Sequence, residues 1–214
     1  MSGPNLQASY FFEMGRILFA LREHPTARAI MALAFIGLDR SEIRGLRRED
    51  VDLLAGVVRV RRGVTGTKDV SEGGKTDNRT RDVTIGSVVA DILREYLAAI
   101  PGNPPDWLLS NGKGNPIDVS LYAARNIRPV LRAADCLWKG YHAGRRGAET
   151  EMGRTTNGDT QVTMHHFGHT KEVADRHYMK PIPEKTRTAA LALDEAIGNA
   201  LDEASKWQQV TRIN

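Results

Sequence analysis

Several short runs in this 214-residue chain have residue types and spacings that could do chemistry. His142-Ala143-Gly144-Arg145 puts an imidazole and a guanidinium three residues apart. On a helix that spacing places both on one face, where they can address one phosphate, and arginine matches phosphate oxygens through paired hydrogen bonds. Phe167-Gly168-His169 is followed nine residues later by Tyr178. A tyrosine hydroxyl, with an ordinary pKa of about 10, attacks poorly at neutral pH, so cationic donors and a nearby base must activate it. Lys75, in Gly73-Gly74-Lys75-Thr76, sits in a Gly-rich stretch from which an ammonium can reach over a substrate as a general acid. A further run, Gly37-Leu38-Asp39-Arg40-Ser41-Glu42-Ile43, leading to Glu49-Asp50-Val51-Asp52, reads as a helix junction with charged groups at one corner. Taken singly, each has a bland alternative: a solvated helix face, a half-buried tyrosine, a loop lysine. His165 and His169 have the i,i+4 spacing of a zinc pair, with His166 beside them, but no third ligand or carboxylate lies near in sequence, so no metal is expected.

These runs need elements to hold them. Residues 9–22 have apolar positions at helical spacing, with Phe12, Ile17, Leu18 and Leu21 as the buried stripe. Thr26 to Leu38 is strongly helical, with Pro25 near its start and Gly37 at its end. A second helix begins at Asp39 or Ser41, either of which can cap it. Gly56 to Arg62 alternates Val58 and Val60 with Arg59 and Arg61, the pattern of a half-buried strand with a basic exposed face. Arg81 to Ile85 reads as another strand, and Gly63 to Arg79 holds a further short strand and a turn. Val88 to Ile100 is an amphipathic helix; Trp107 to Leu109 is extended; Ser120 to Ala134 is helical with a kink at Pro129. Tyr141 to Met152 starts another helix, Gly153 to Thr160 reads as loop, Val173 to Met179 as a short helix, and Glu184 to Ala204 as a C-terminal helix. The fold class is therefore mainly α with a small antiparallel β-sheet (α+β).

Composition sets wide bounds. Hydrophobic residues make up 41% and charged residues 26%, which is ordinary for a globular chain with a real core. The net charge of +4 is compatible with nucleic acid and does not require it. More telling is a cluster of Arg44, Arg47, Arg48, Arg59, Arg61 and Arg62. Cys136 is the single cysteine, so no intrachain disulfide can form, which suits a reducing cytoplasm. There is no signal peptide and no apolar run of about 18 residues, so a soluble cytoplasmic protein is expected, with no membrane contact.

In order and spacing, GLDRSEIRGLRREDVD, GGKTDNRTRDVTI, HAGRR and FGH with Tyr178 resemble the tyrosine site-specific recombinases, the phage integrase family. The resemblance covers roughly residues 18–195, and it implies a single catalytic domain spanning 1–214 without the N-terminal core-binding domain of family members. It implies DNA binding, integration and site-specific recombination, as in a mobile element, through a 3′-phosphotyrosyl intermediate. Tyr178 would attack the scissile phosphate. Arg145 would bind its non-bridging oxygens, His142 would assist proton transfer or hold the phosphate, and His169 would hydrogen-bond it. Lys75 would protonate the 5′-hydroxyl leaving group, and Glu42 would be the acidic support. Neither cofactor nor metal is implied. The partner would be double-stranded DNA, bound by a protein monomeric in solution and tetrameric on DNA, with residues 183–204 available for docking on a neighbour or on their own domain.

One departure matters. The family's first catalytic arginine falls at Asp39, between Gly37-Leu38 and Glu42. A carboxylate there is expected to face the phosphate, and loss of one donor removes about 2.7–4 kcal/mol of transition-state stabilisation. Arg40, about 100° around a helix, would point elsewhere unless the segment is a turn. Gly144 and Glu149 interrupt the second-box helix, and Gly153 to Met164 lacks a clear apolar helix before FGH. Together these predict a chain that binds DNA but cleaves it poorly or not at all.

Overall fold

The computed structural model describes residues 6–66, 69–72, 80–103, 105–156, 159–168 and 183–211. At its centre lies helix α2 (Pro25–Phe35), which buries Ala27 and every residue from Ala29 to Phe35. A helix apolar all round must be covered on all sides, and the other elements do this. Helix α1 (Leu6–Ala20) buries Met14, Ile17 and Leu18. Pro25 begins α2 where its missing N–H costs nothing. Past its end, Leu38 N–H donates to Leu33 O and Gly37 N–H to Ala34 O, with Gly37 at φ +98°. This is a left-handed glycine stop. Helix α3 (Arg40–Gly45) follows at once.

Strands β1 (Val51–Asp52), β2 (Val57–Val60) and β5 (Arg81–Thr84) form a three-stranded antiparallel sheet in the order β1-β2-β5. Val58 stands opposite both Val51 and Val83. Strands β3 (Arg62–Thr65) and β4 (Asp69–Glu72) pair separately, Arg62 opposite Glu72. The one sheet expected from the sequence is thus two. The expected basic face of β2 is also largely neutralised. Arg59 pairs with Asp52 at 2.7 Å, Arg61 with Asp82 at 2.8 Å and Arg62 with the buried Asp50 at 2.6 Å. Arg44 donates to the Ile117, Val64 and Gly66 carbonyls, and Arg48 to that of Leu97. Much of the arginine cluster is internal bracing.

Helix α4 (Ser87–Ala99) buries Val89, Ile92, Leu93 and Tyr96, as its periodicity predicts. Its first N–H groups, at Val88 and Val89, are capped from afar by Asp194, each at 3.0 Å. Helix α5 (Val119–Tyr122) runs through a π turn, Ala123–Ile127, into α6 (Arg128–Ala133). Pro129 explains the turn: proline lacks an N–H and its ring crowds the carbonyl four residues back, so a wider turn relieves both.

Helix α7 (Tyr141–Thr155) is longer than expected, and α8 (Thr160–Phe167) forms where no clear helix was predicted. Asp159 starts α8 by accepting from Gln161 and Val162 N–H, and Val162 and Phe167 anchor it in the core. Gly144 lies within α7 where it faces α2, and a Cβ there would meet the Ala34 carbonyl and the Phe35 ring at 3.4 Å, ordinary van der Waals contact. Helix α9 (Pro183–Thr211) buries Leu193 and Ile197, while Leu191 is exposed. It packs on α1 so closely that a Cβ on Gly15 would overlap the Ala200 carbonyl. Most of its apolar stripe thus serves its own fold. Among the described residues no helix is long and apolar enough to cross a membrane. The helix expected at Val173–Met179 lies outside the described residues.

Candidate functional site

Glu42 organises the site. It is buried at the third position of α3, and Arg81 reaches it from β5 with two hydrogen bonds, 2.6 and 3.1 Å. Arg81 Nε donates to the His166 carbonyl at 2.7 Å. Arg145, from α7, stands 3.7 Å from the same carboxylate, donates to the Gly37 carbonyl at 2.9 Å and also to the Phe167 carbonyl. Burial lowers the Arg145 pKa, while the Glu42 charge works against that shift. An arginine remains charged regardless. One carboxylate therefore lies between two guanidinium groups drawn from distant parts of the chain.

The surrounding contacts tie the runs together. The Phe167 ring occupies the space where Gly37 would carry a Cβ, which only glycine permits. His166 is 1% exposed, and its Nε2 meets the Ile36 carbonyl at 3.0 Å. Burial depresses its pKa to about 4, with the Arg81 and Arg145 charges adding to the effect. His165 is half-buried, and its pKa too is lowered by burial. Gly168, at φ +66°, ends α8 immediately before His169.

Asp39 takes the capping position that the sequence offered it. It is the N-cap of α3, with extended backbone. Its Oδ1 accepts from Ser41 N–H at 2.7 Å, Ser41 Oγ at 2.6 Å and Glu42 N–H at 2.9 Å, while Glu42 Oε2 accepts from Asp39 N–H at 2.9 Å. Burial would raise its pKa, but these bonds and the nearby Arg145 charge outweigh burial and hold it below the ordinary value. Arg40 is the first residue of α3, and its Nη1 donates to Ser120 Oγ at 3.2 Å. Arg40 and His142 line one open cavity of about 470 Å³, with Asp39, Ser41, Arg44 and Ser120 among its other walls. His142 and Arg145 stand one turn apart on α7, His142 exposed in the cavity and Arg145 in the buried cluster.

Of the residues singled out from the sequence, the fold brings Asp39, Glu42, His142 and Arg145 together. Lys75, His169 and Tyr178 lie outside the described residues. Among the described residues no three metal-ligating side chains converge. Arg81 was missed, although the pattern holds a sign of it. It shares strand parity with the buried Val83 and Ile85, and a cation on an apolar face requires a buried partner. Cys136 is half-buried and its thiol is pushed up to about 11 by desolvation, consistent with a residue that is no nucleophile.

No family model matches the chain, and no curated protein matches it. Solved structures do. A crystal structure of XerA recombinase aligns over 82% of this chain and 59% of its own, with 21% identity and a TM-score of 0.57. The Tn1549 transposon integrase bound to transposon right-end DNA aligns over 88% of this chain and 64% of its own, with 20% identity and a TM-score of 0.55. The same integrase bound to a circular-intermediate DNA aligns over 86% of this chain and 63% of its own, with 18% identity and a TM-score of 0.58. The chain thus spans about three fifths of the length of these proteins. The mainly helical architecture with small antiparallel sheets is a fold shared with these recombinase and integrase structures.

Proposed function

We propose that this chain is a tyrosine recombinase catalytic domain, which binds double-stranded DNA and breaks and rejoins it through a 3′-phosphotyrosyl link at Tyr178. The observation that carries the proposal is convergence. Glu42 of the first run and Arg145 of the H-x-x-R run, a hundred residues apart in sequence, share one ion cluster beside a cavity lined by His142 and Arg40. In that scheme the Tyr178 hydroxyl gives its proton to His142 as its oxygen bonds to phosphorus, and the bond to the 5′-oxygen breaks as that oxygen takes a proton from Lys75. Arg145, His142 and His169 neutralise the charge that builds on the phosphate oxygens. Glu42 positions Arg145. Reversal by a second 5′-hydroxyl reseals the strand without an external energy source, and the arginines supply the charge stabilisation that a metal would otherwise give. Free protein is expected to be monomeric, with tetramers assembled on two duplexes. The test is trapping of a covalent protein–DNA adduct and relaxation of supercoiled plasmid, with Tyr178→Phe as the silent control.

Asp39 favours a second reading, DNA binding without cleavage. It predicts no adduct from the unaltered chain and recovery in Asp39→Arg. An adduct from the unaltered chain, absent in Tyr178→Phe, overturns it.

A further inference from the structure

The cavity beside His142 has two carboxylates in its wall, Asp39 and Asp118, and would at first sight repel an anion. Their hydrogen bonds point the other way. Asp39 Oδ1 is spent on two backbone N–H groups and the Ser41 hydroxyl. Asp118 Oδ1 caps α5, accepting from Ser120 N–H at 2.9 Å and Leu121 N–H at 3.0 Å. One oxygen of each carboxylate is thus held by backbone N–H groups at the cavity edge, which draws part of its charge towards the helix it caps. Beside them stand the donors that can meet an anion: the exposed guanidinium of Arg40, the exposed imidazole of His142 and the Ser120 hydroxyl, which accepts from Arg40 and keeps its own proton to give. Arg44 adds a further positive charge to the wall, although its own hydrogen bonds go to carbonyls.

Resting on the DNA strand-transfer reading above, we infer that Arg40 is the cation this site offers to a backbone phosphate of DNA from the first run of residues, in place of position 39. Arg40 rises from the first turn of α3, outside the capping interactions of Asp39. Ser120, from α5, holds one end of the guanidinium and aims it into the cavity that His142 enters from α7. A guanidinium so held presents further N–H donors in a planar fork suited to two phosphate oxygens. The side chain is exposed in the free protein, so it meets DNA without any rearrangement of the core.

The experiment measures the affinity of the full chain for a 30-base-pair duplex of arbitrary sequence by fluorescence anisotropy, from about 50 to 200 mM salt. Tyr178→Phe is the background throughout, so that no covalent link contributes. Each phosphate that the protein ceases to neutralise lowers the slope of log affinity against log salt by about 0.9. Arg40→Ala is expected to lower the slope by about that amount and Arg40→Lys to retain it, because the ammonium keeps the charge. Arg94→Ala, which removes an exposed arginine of α4 paired with Asp91, is expected to leave the slope unchanged. An Arg40→Ala slope equal to that of the background overturns the inference, as does an equal reduction from Arg94→Ala, which would mark an effect of bulk charge. If the background protein shows no salt-dependent binding, the DNA reading itself falls and the Arg40–phosphate interaction with it. Binding that is intact but indifferent to Arg40 removes only the latter.

Discussion

Replacing Glu42 with alanine tests whether the buried ion cluster is one unit. Glu42 receives two hydrogen bonds from Arg81, whose side chain is 2% exposed, and lies 3.7 Å from Arg145, which is itself largely buried. Removing the carboxylate leaves two guanidinium groups close together with no anion between them; the Arg81 charge already acts to lower the affinity of Arg145 for its proton. Truncating one partner of a buried ion pair costs about 3–5 kcal/mol. For a chain of this length, each kcal/mol corresponds to about 2–4 °C, so the melting midpoint should fall by about 6–20 °C. Glu42→Gln, which keeps shape and acceptor but not charge, should fall between alanine and the unaltered chain. Urea denaturation followed by far-ultraviolet circular dichroism gives the free energy, and a thermal scan gives the midpoint. A loss below about 1 kcal/mol in Glu42→Ala would mean that water or neighbouring carbonyls already solvate both arginines, and the reasoning would be refuted.

Three further outcomes are expected. His166 has a folded pKa of about 4 against an ordinary value near 6.5, so its neutral ring contributes stability that is fully present above pH 6.5 and is lost as pH falls towards 4. The loss should reach about 3 kcal/mol, and His166→Gln should flatten that part of a pH series of urea midpoints; an unchanged slope would rule the buried ring out as its source. At position 39, alanine should cost about 1 kcal/mol through loss of the helix cap, while asparagine, an equally good cap, should cost little. Equal urea stabilities for the two variants would contradict the capping role. Gly37→Ala should destabilise by at least about 1–3 kcal/mol, because φ is +98° and the added carbon meets the Phe167 ring. A near-neutral thermal midpoint would show that the ring can move aside.

How much of this was legible in the sequence depended on whether a signal is local. Helix α2 announced itself through Pro25, a continuous apolar run and Gly37, each of which acts on its own neighbours. Helix α8 did not, because its eight residues hold few apolar anchors and its start rests on the single cap Asp159. Charge was the poorest guide. The sequence counts arginines but not their partners, and Asp50, Asp52 and Asp82 absorb three members of the cluster that suggested a nucleic-acid surface. Glu42 and Arg145 were picked out by resemblance, whereas their link through Arg81 depends on a strand far from both. For Asp39 the capping role was legible, because its partners lie within the next three residues. A side chain at a cap folds back onto its own helix, so helical angles do not apply to it, and Arg40 one step later takes the outward direction.

The seat of Arg145 has a bearing on how the protein comes into being. Its guanidinium is held by carbonyls at Gly37 and Phe167 and faces the carboxylate of Glu42. The chain that closes this seat runs across most of the described core, so its loops are long and their closure is entropically slow. Under the proposed function, a nascent or locally opened chain would still carry its arginine charges, yet would have no rigid cation with which to stabilise a phosphate under attack. On that reading, attraction to DNA would arise early in folding, whereas competence to cut would await the last long-range interactions, so that a half-folded molecule would be a poor nickase.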